Sequence, residues 1–188
     1  MLMFLLILTA VLLAMQYIAL LWTVTNTSYI SNNVWIKLLP LVCTALFIAV
    51  MMYARRADGM ATELLAQVMY IWLGAIFIWF AVSMAFMFCQ IGAGFFKVTL
   101  GQNLSLYALA LTAVLTTVSL ITAQQTPSVT NIAIKNPYAD GTTLKIAQVS
   151  DTHLGIAVSV NKFKKLVERI QSLNPDIIVF TGDIFEET

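Results

Sequence analysis

LKIAQVSDTHLGIAVSVNKFKKLVERIQSLNPDIIVFTGD, residues 144–183, places one amphipathic segment between two short apolar runs. The first run, 144–149, ends in Ser150-Asp151-Thr152-His153, and the second, 176–181, ends in Gly182-Asp183. Short apolar runs bounded by turn formers read as buried strands. Between them Val160, Phe163, Leu166, Val167, Ile170 and Leu173 recur at helical spacing, opposite Lys162, Lys164, Lys165, Glu168 and Arg169. Asn174-Pro175 closes this helix, because the residue before a proline avoids the α region. The order is strand, helix, strand, and a crossover of this length makes the two strands parallel with a right-handed connection.

That geometry concentrates charge. Neighbouring strands lie about 4.8 Å apart, so Asp151 and Asp183 leave the same carboxyl edge of the sheet, where open α/β sheets place ligands. Two carboxylates held together repel unless a cation lies between them. His153, two residues beyond Asp151, adds a neutral nitrogen donor. Taken singly, each Asp reads as a strand-end cap and His153 as a surface histidine; their joint placement favours a metal site. Carboxylate oxygens with one imidazole suit Mn, Fe or Zn better than Ca. In two-metal centres the ions sit about 3.5–4 Å apart, a gap that a bridging carboxylate spans.

Upstream, residues 129–134 alternate well enough for a further strand, and residues 136–141, NPYADG, are rich in turn formers. Beyond that, moving toward the N-terminus, the composition changes. The 188 residues are 60% hydrophobic and 10% charged, against about 25% charged in soluble domains. Residues 1–123 hold only Lys37, Arg55, Arg56, Asp58, Glu63 and Lys97; the rest of the charges, and the single histidine, follow. A break of this kind separates a lipid-solvated part from a water-solvated one, with residues 124–128 as the linker. Four apolar stretches, about 2–24, 34–53, 64–89 and 104–123, have the roughly 20 residues that a bilayer crossing needs. The first lacks a basic leader region and runs too long for a signal peptide, so it reads as a retained span.

No span carries Asp, Glu or His at its middle. Ion and proton pathways usually require such groups, so a transporter or channel is disfavoured and the membrane half reads as an anchor. Lys37 lies close enough to a span end to snorkel outward. Trp22 and Trp35 are candidate interfacial anchors, while Trp72 and Trp79 read as packing or facing lipid. Cys43 and Cys89 lie inside apolar runs and read as small buried hydrophobes. The Arg55-Arg56 pair points the second loop to the cytoplasm, and four spans return the C-terminal part to that side. A net charge of +1 without a larger basic cluster gives no sign of nucleic-acid binding.

The blocks LKIAQVSDTH (144–153) and PDIIVFTGD (175–183) resemble the first two motifs of the calcineurin-like metallophosphoesterase family, with Asp-x-His followed about 30 residues later by Gly-Asp. The similarity extends over about 129–186 and is greatest to the bacterial membrane-linked branch. The resemblance implies a β-sandwich flanked by helices, begun but incomplete here, and two divalent metal ions. It implies that Asp151 and His153 bind the first metal and that Asp183 bridges both. The family usually has Asp where this chain has Glu186, which is therefore not assigned as a ligand. The later family motifs, Gly-Asn-His-Glu/Asp, a lone His and Gly-His-x-His, do not occur, and no catalytic residue is assigned.

The expected protein is therefore a four-span integral membrane protein, in a bacterial inner or plasma membrane, bearing the start of a metal-dependent phosphoesterase domain at residues 129–188. Its expected partners are the lipid bilayer and a phosphoester substrate linked to lipid or nucleotide. The chain reads as a truncated piece that is inactive alone. The alternative is a non-catalytic membrane scaffold or regulator with an α/β cytoplasmic appendage.

Overall fold

The computed structural model describes residues 2–28, 33–54, 56, 59–101, 103–125, 127–135, 141, 143–152 and 160–183. The chain divides into two compact units, Met1–Ala123 and Gln124–Thr188.

The first unit is a bundle of four helices, α1 (Leu2–Thr25), α2 (Val34–Ala54), α3 (Met60–Phe95) and α4 (Leu104–Thr122). All four are long and apolar enough to cross a membrane. Their burial pattern is inverted relative to a soluble bundle. Only 11–22% of each span is buried, while Gln16, Thr23, Thr44, Ser83 and Ser105 lie inside. Large apolar side chains such as Phe4, Leu46, Phe77 and Val114 face outward. Hydrocarbon exerts no hydrophobic drive between helices, so small and polar groups take the contacts instead. The core is Trp22, Val82 and Ala108, with Ile78, Phe86, Met87 and Leu104 packed around it. Ser105 and Ala108, both fully buried and one turn apart, let α4 approach α3 closely.

Hydrogen bonds pin the bundle together. Gln16 Nε2 of α1 donates to Thr44 Oγ1 of α2 at 2.7 Å, deep in the interior. Near one end, Trp22 Nε1 donates to Gln90 Oε1 at 3.0 Å, Gln90 Nε2 donates to Asn26 Oδ1, and Ser105 Oγ donates to the Asn26 carbonyl at 2.9 Å. These three bonds join α1 to both α3 and α4. Pro40 lies inside α2 and lacks the N–H that would serve the preceding turn. On that turn Tyr17 donates its hydroxyl to the Lys37 carbonyl at 2.9 Å.

Several expectations change. The third helix extends to 36 residues, beyond the apolar window 64–89 at both ends. A helix ends where its backbone ladder ends, not where hydrocarbon does, and neither Met60–Glu63 nor Gln90–Phe95 contains a breaker stronger than isolated glycines. Of the tryptophans, Trp22 is a core residue and not an anchor, Trp79 donates to Thr23 Oγ1 at 3.3 Å, and Trp72 packs on Phe47 with ring centroids 5.5 Å apart. Trp35 is exposed. Cys43 is half-buried and Cys89 exposed, so neither is a fully buried hydrophobe; both are free thiols. Arg55 and Asp58 lie outside the described residues.

The second unit holds β1 (Ile146–Ser150), α5 (Val160–Ser172) and β2 (Ile177–Thr181). β1 and β2 pair in parallel, in the register Ile146↔Ile177 to Ser150↔Thr181. The strand–helix–strand reading holds, with the strands as immediate neighbours. Residues 129–134 do not form the expected strand. They have no ladder partner among the described residues, and Ile132 and Ile134 are exposed. Alternation supplies a strand's faces, but pairing supplies its hydrogen bonds. The turn-rich segment 136–140 lies outside the described residues.

Candidate metal centre

The site is built at the carboxyl ends of β1 and β2. Their N-terminal ends are fixed first. Asp176 Oδ2 accepts a 2.7 Å hydrogen bond from the Lys145 amide, and the Asp176 amide donates to the Lys145 carbonyl at 2.8 Å. This reciprocal clasp sets the register of the whole ladder just before Ile146 meets Ile177. Along the strands, Gln148 Nε2 donates to Thr181 Oγ1 at 3.0 Å. At the far end the ladder is extended by one bond, from the Asp151 amide to the Thr181 carbonyl at 3.2 Å.

Beyond that bond both chains turn through left-handed backbone. Asp151 has φ 51° and Gly182 has φ 75°. Asp is among the few side-chain-bearing residues that tolerate this region. Gly182 has a second reason to be glycine. A Cβ built there would collide with Asp151 Oδ1 and lie only 3.0 Å from Asp151 Cγ. The Asp151 carboxylate thus lies directly over the Gly182 backbone, beside the residue that carries the Asp183 carboxylate. The two acids named from the sequence are brought to one sheet edge, and both are exposed. Neither carboxylate takes a hydrogen bond from a described residue.

His153 lies outside the described residues, as does Glu186. Among the described residues no group of three or more His, Cys, Asp or Glu is gathered. Two residues that sequence reasoning passed over matter to the geometry. Asp176 sets the register from outside the site, and its position one residue before an apolar run was the available signal. Gly182 was read as punctuation, although glycine immediately before a site carboxylate is a cue for close backbone approach.

This geometry, a parallel strand–helix–strand unit with aspartates at its carboxyl edge, is the context in which the comparisons fall. Residues 144–188 match the calcineurin-like phosphoesterase family. Among similar proteins, a transmembrane protein with metallophosphoesterase domain from Danio rerio is 38% identical over 81 residues, covering 41% of this chain and 18% of that protein. The Bos taurus protein of the same description is 36% identical over 80 residues, with the same shares. A UDP-2,3-diacylglucosamine pyrophosphatase of Chlamydia trachomatis is 50% identical over 40 residues, 21% of this chain and 12% of that protein. The chain thus matches under a fifth of the length of each of these relatives. No solved structure matches the chain. The two transmembrane relatives are animal proteins and the pyrophosphatase is bacterial.

Proposed function

We propose that the chain is the membrane anchor and first metal-binding segment of a phosphoesterase that hydrolyses a phosphate mono- or diester near a bilayer. The observation that carries this reading is the Asp151 carboxylate lying against Gly182, next to Asp183, at the carboxyl edge of two paired parallel strands. Residues 129–188 would form the start of the catalytic domain and 124–128 its linker to the spans. Asp151 and His153 would hold one divalent ion, and Asp183 would bridge it to a second, as Mn, Fe or Zn. The donor set fits such ions: two ionisable oxygen donors share one edge, with no hydrogen bond to their carboxylates from the described residues.

When bound, the metal supplies Lewis acidity toward the phosphoryl oxygens and a nucleophile drawn from water. The chain's own residues prepare that chemistry. The Thr181 carbonyl holds the Asp151 amide, and the left-handed turns at Asp151 and Gly182 fix the direction in which the carboxylates leave the strands. The two carboxylates disfavour each other when no cation intervenes, so the site is preset for cation capture. The sequence contains one histidine, which this reading uses as a ligand. No residue of the chain is assigned to protonate the leaving group.

Support for a lipid-linked phosphoester comes from two directions: the four spans that hold the unit to a bilayer, and the Chlamydia relative, described as a UDP-2,3-diacylglucosamine pyrophosphatase. The Arg55-Arg56 loop supports a cytoplasmic placement of the second unit, since four crossings return the chain to that side. The test is Mn binding by the full chain in nanodiscs, followed by electron paramagnetic resonance, alongside hydrolysis of a chromogenic phosphodiester. Mn binding that is lost in both Asp151→Asn and Asp183→Asn supports the reading. Binding that is indifferent to both substitutions, or no binding at all, rejects it.

A further inference from the structure

The strongest feature left unused by the metal site is the outward face of α5. Its inner side is anchored by Ile170, which is 7% exposed, with Leu166 and Val167 half-buried. Outward stand Lys164, Lys165, Glu168 and Arg169, all exposed. Lys165 and Arg169 are four residues apart, so they share one stripe of the helix. Glu168, the one acid in the described part of α5, lies four residues after Lys164 and three after Lys165, so the face keeps a net excess of positive charge. None of the three cations pairs with a described acid. The excess positive charge suits an anion outside the protein.

The chain also specifies where that anion is. α4 ends at Thr122 and α5 begins at Val160, so the basic face is covalently confined to the neighbourhood of a bilayer. A flexible tether raises the local concentration of the surface it is fixed to far above that of any free partner. Basic residues on an amphipathic helix beside a membrane are attracted to anionic headgroups, at about 1 kcal/mol or fivefold per cation. We infer that the Lys164–Lys165–Arg169 face of α5 rests on an anionic lipid surface, holding the phosphoesterase unit down on the bilayer. The docking does not depend on whether the unit binds metal or hydrolyses anything.

The experiment uses the full chain in nanodiscs of phosphatidylcholine alone and of phosphatidylcholine mixed with phosphatidylglycerol. Amide hydrogen exchange is followed along α5. Exchange several-fold slower in the anionic discs is expected, with the difference erased in Lys165→Gln/Arg169→Gln and at about 1 M salt, where the Debye length falls to about 3 Å. These two side chains are exposed, so β1–β2 exchange should stay unchanged and report that the unit remains folded. Equal exchange in the two bilayers overturns the inference. So does protection that survives the double substitution, or equal slowing when soluble polyglutamate is added to phosphatidylcholine discs.

Discussion

The two units treat their polar side chains in opposite ways. In the bundle, the polar groups of Gln16, Trp22, Asn26, Gln90 and Ser105 find partners on neighbouring helices. In the strand–helix–strand unit, Asp151 and Asp183 lie exposed at one sheet edge, their carboxylates without a donor among the described residues. Lipid offers no hydrogen bonds, so a polar group there must be served from within the protein. Water tolerates an unserved carboxylate, which leaves it available to a ligand. The contrast separates a part whose polar atoms are spent on assembly from a part whose polar atoms are held in reserve.

Substitutions can break that contrast, and the largest effect is expected at the reserve. Asp151→Ala should lower Mn affinity by more than about 100-fold, because even an outer partner of a metal ligand is worth 10–100-fold. An unchanged Mn titration would move the site elsewhere. Gly182→Ala comes next. It forces a side chain into left-handed backbone, a cost of about 1–2 kcal/mol, and drives a methyl into the Asp151 carboxylate. Both weaker Mn binding and faster exchange of the β1–β2 amides are expected, whereas Asp151→Asn should lose Mn binding with normal exchange, since Asn tolerates the same backbone region.

Smaller effects are expected in the bundle. Gln90→Leu removes the acceptor for Trp22 and the donor to Asn26. Interhelical hydrogen bonds in membranes average about 0.6 kcal/mol, so a loss of about 1 kcal/mol is expected in detergent-driven unfolding from bicelles. A loss several times larger would mean that this cluster, not the packing of Trp22, Val82 and Ala108, organises the bundle. The smallest change tests the rule at one of its two exceptions among the described residues, the hydroxyls of Ser83 and Thr116. Ser83 is 1% exposed and its hydroxyl has no partner. Ser83→Ala should be neutral or stabilising by up to about 1 kcal/mol, because it removes a buried group that gains nothing in return.

What was legible in the sequence follows the same division. The period-3.6 pattern from Val160 to Leu173 and the apolar runs on either side specified the strand–helix–strand unit, and with it the meeting of Asp151 and Asp183. The match to the calcineurin-like phosphoesterase family covers that stretch. The spans were legible from hydropathy because hydrocarbon imposes a length. What the sequence did not disclose are relations between distant residues. The clasp of Asp176 with Lys145 and the seating of the Asp151 carboxylate on Gly182 depend on register. The Trp22–Gln90–Asn26 chain leaves no mark in the sequence because its uncharged groups sit 64 and 68 residues apart and only packing brings them together. Residues 129–134 failed as a strand for the complementary reason: their own pattern was adequate and their partner was missing.

The length of α3 has a consequence for the membrane itself. At about 1.5 Å per residue its 36 residues form a rod of about 54 Å. Tilted by about 40°, the upper end of the usual range, it would still project about 41 Å along the normal of a hydrocarbon layer about 30 Å thick. Nearly three turns would therefore stand in the headgroups or beyond, and a thinner bilayer would strand more of them.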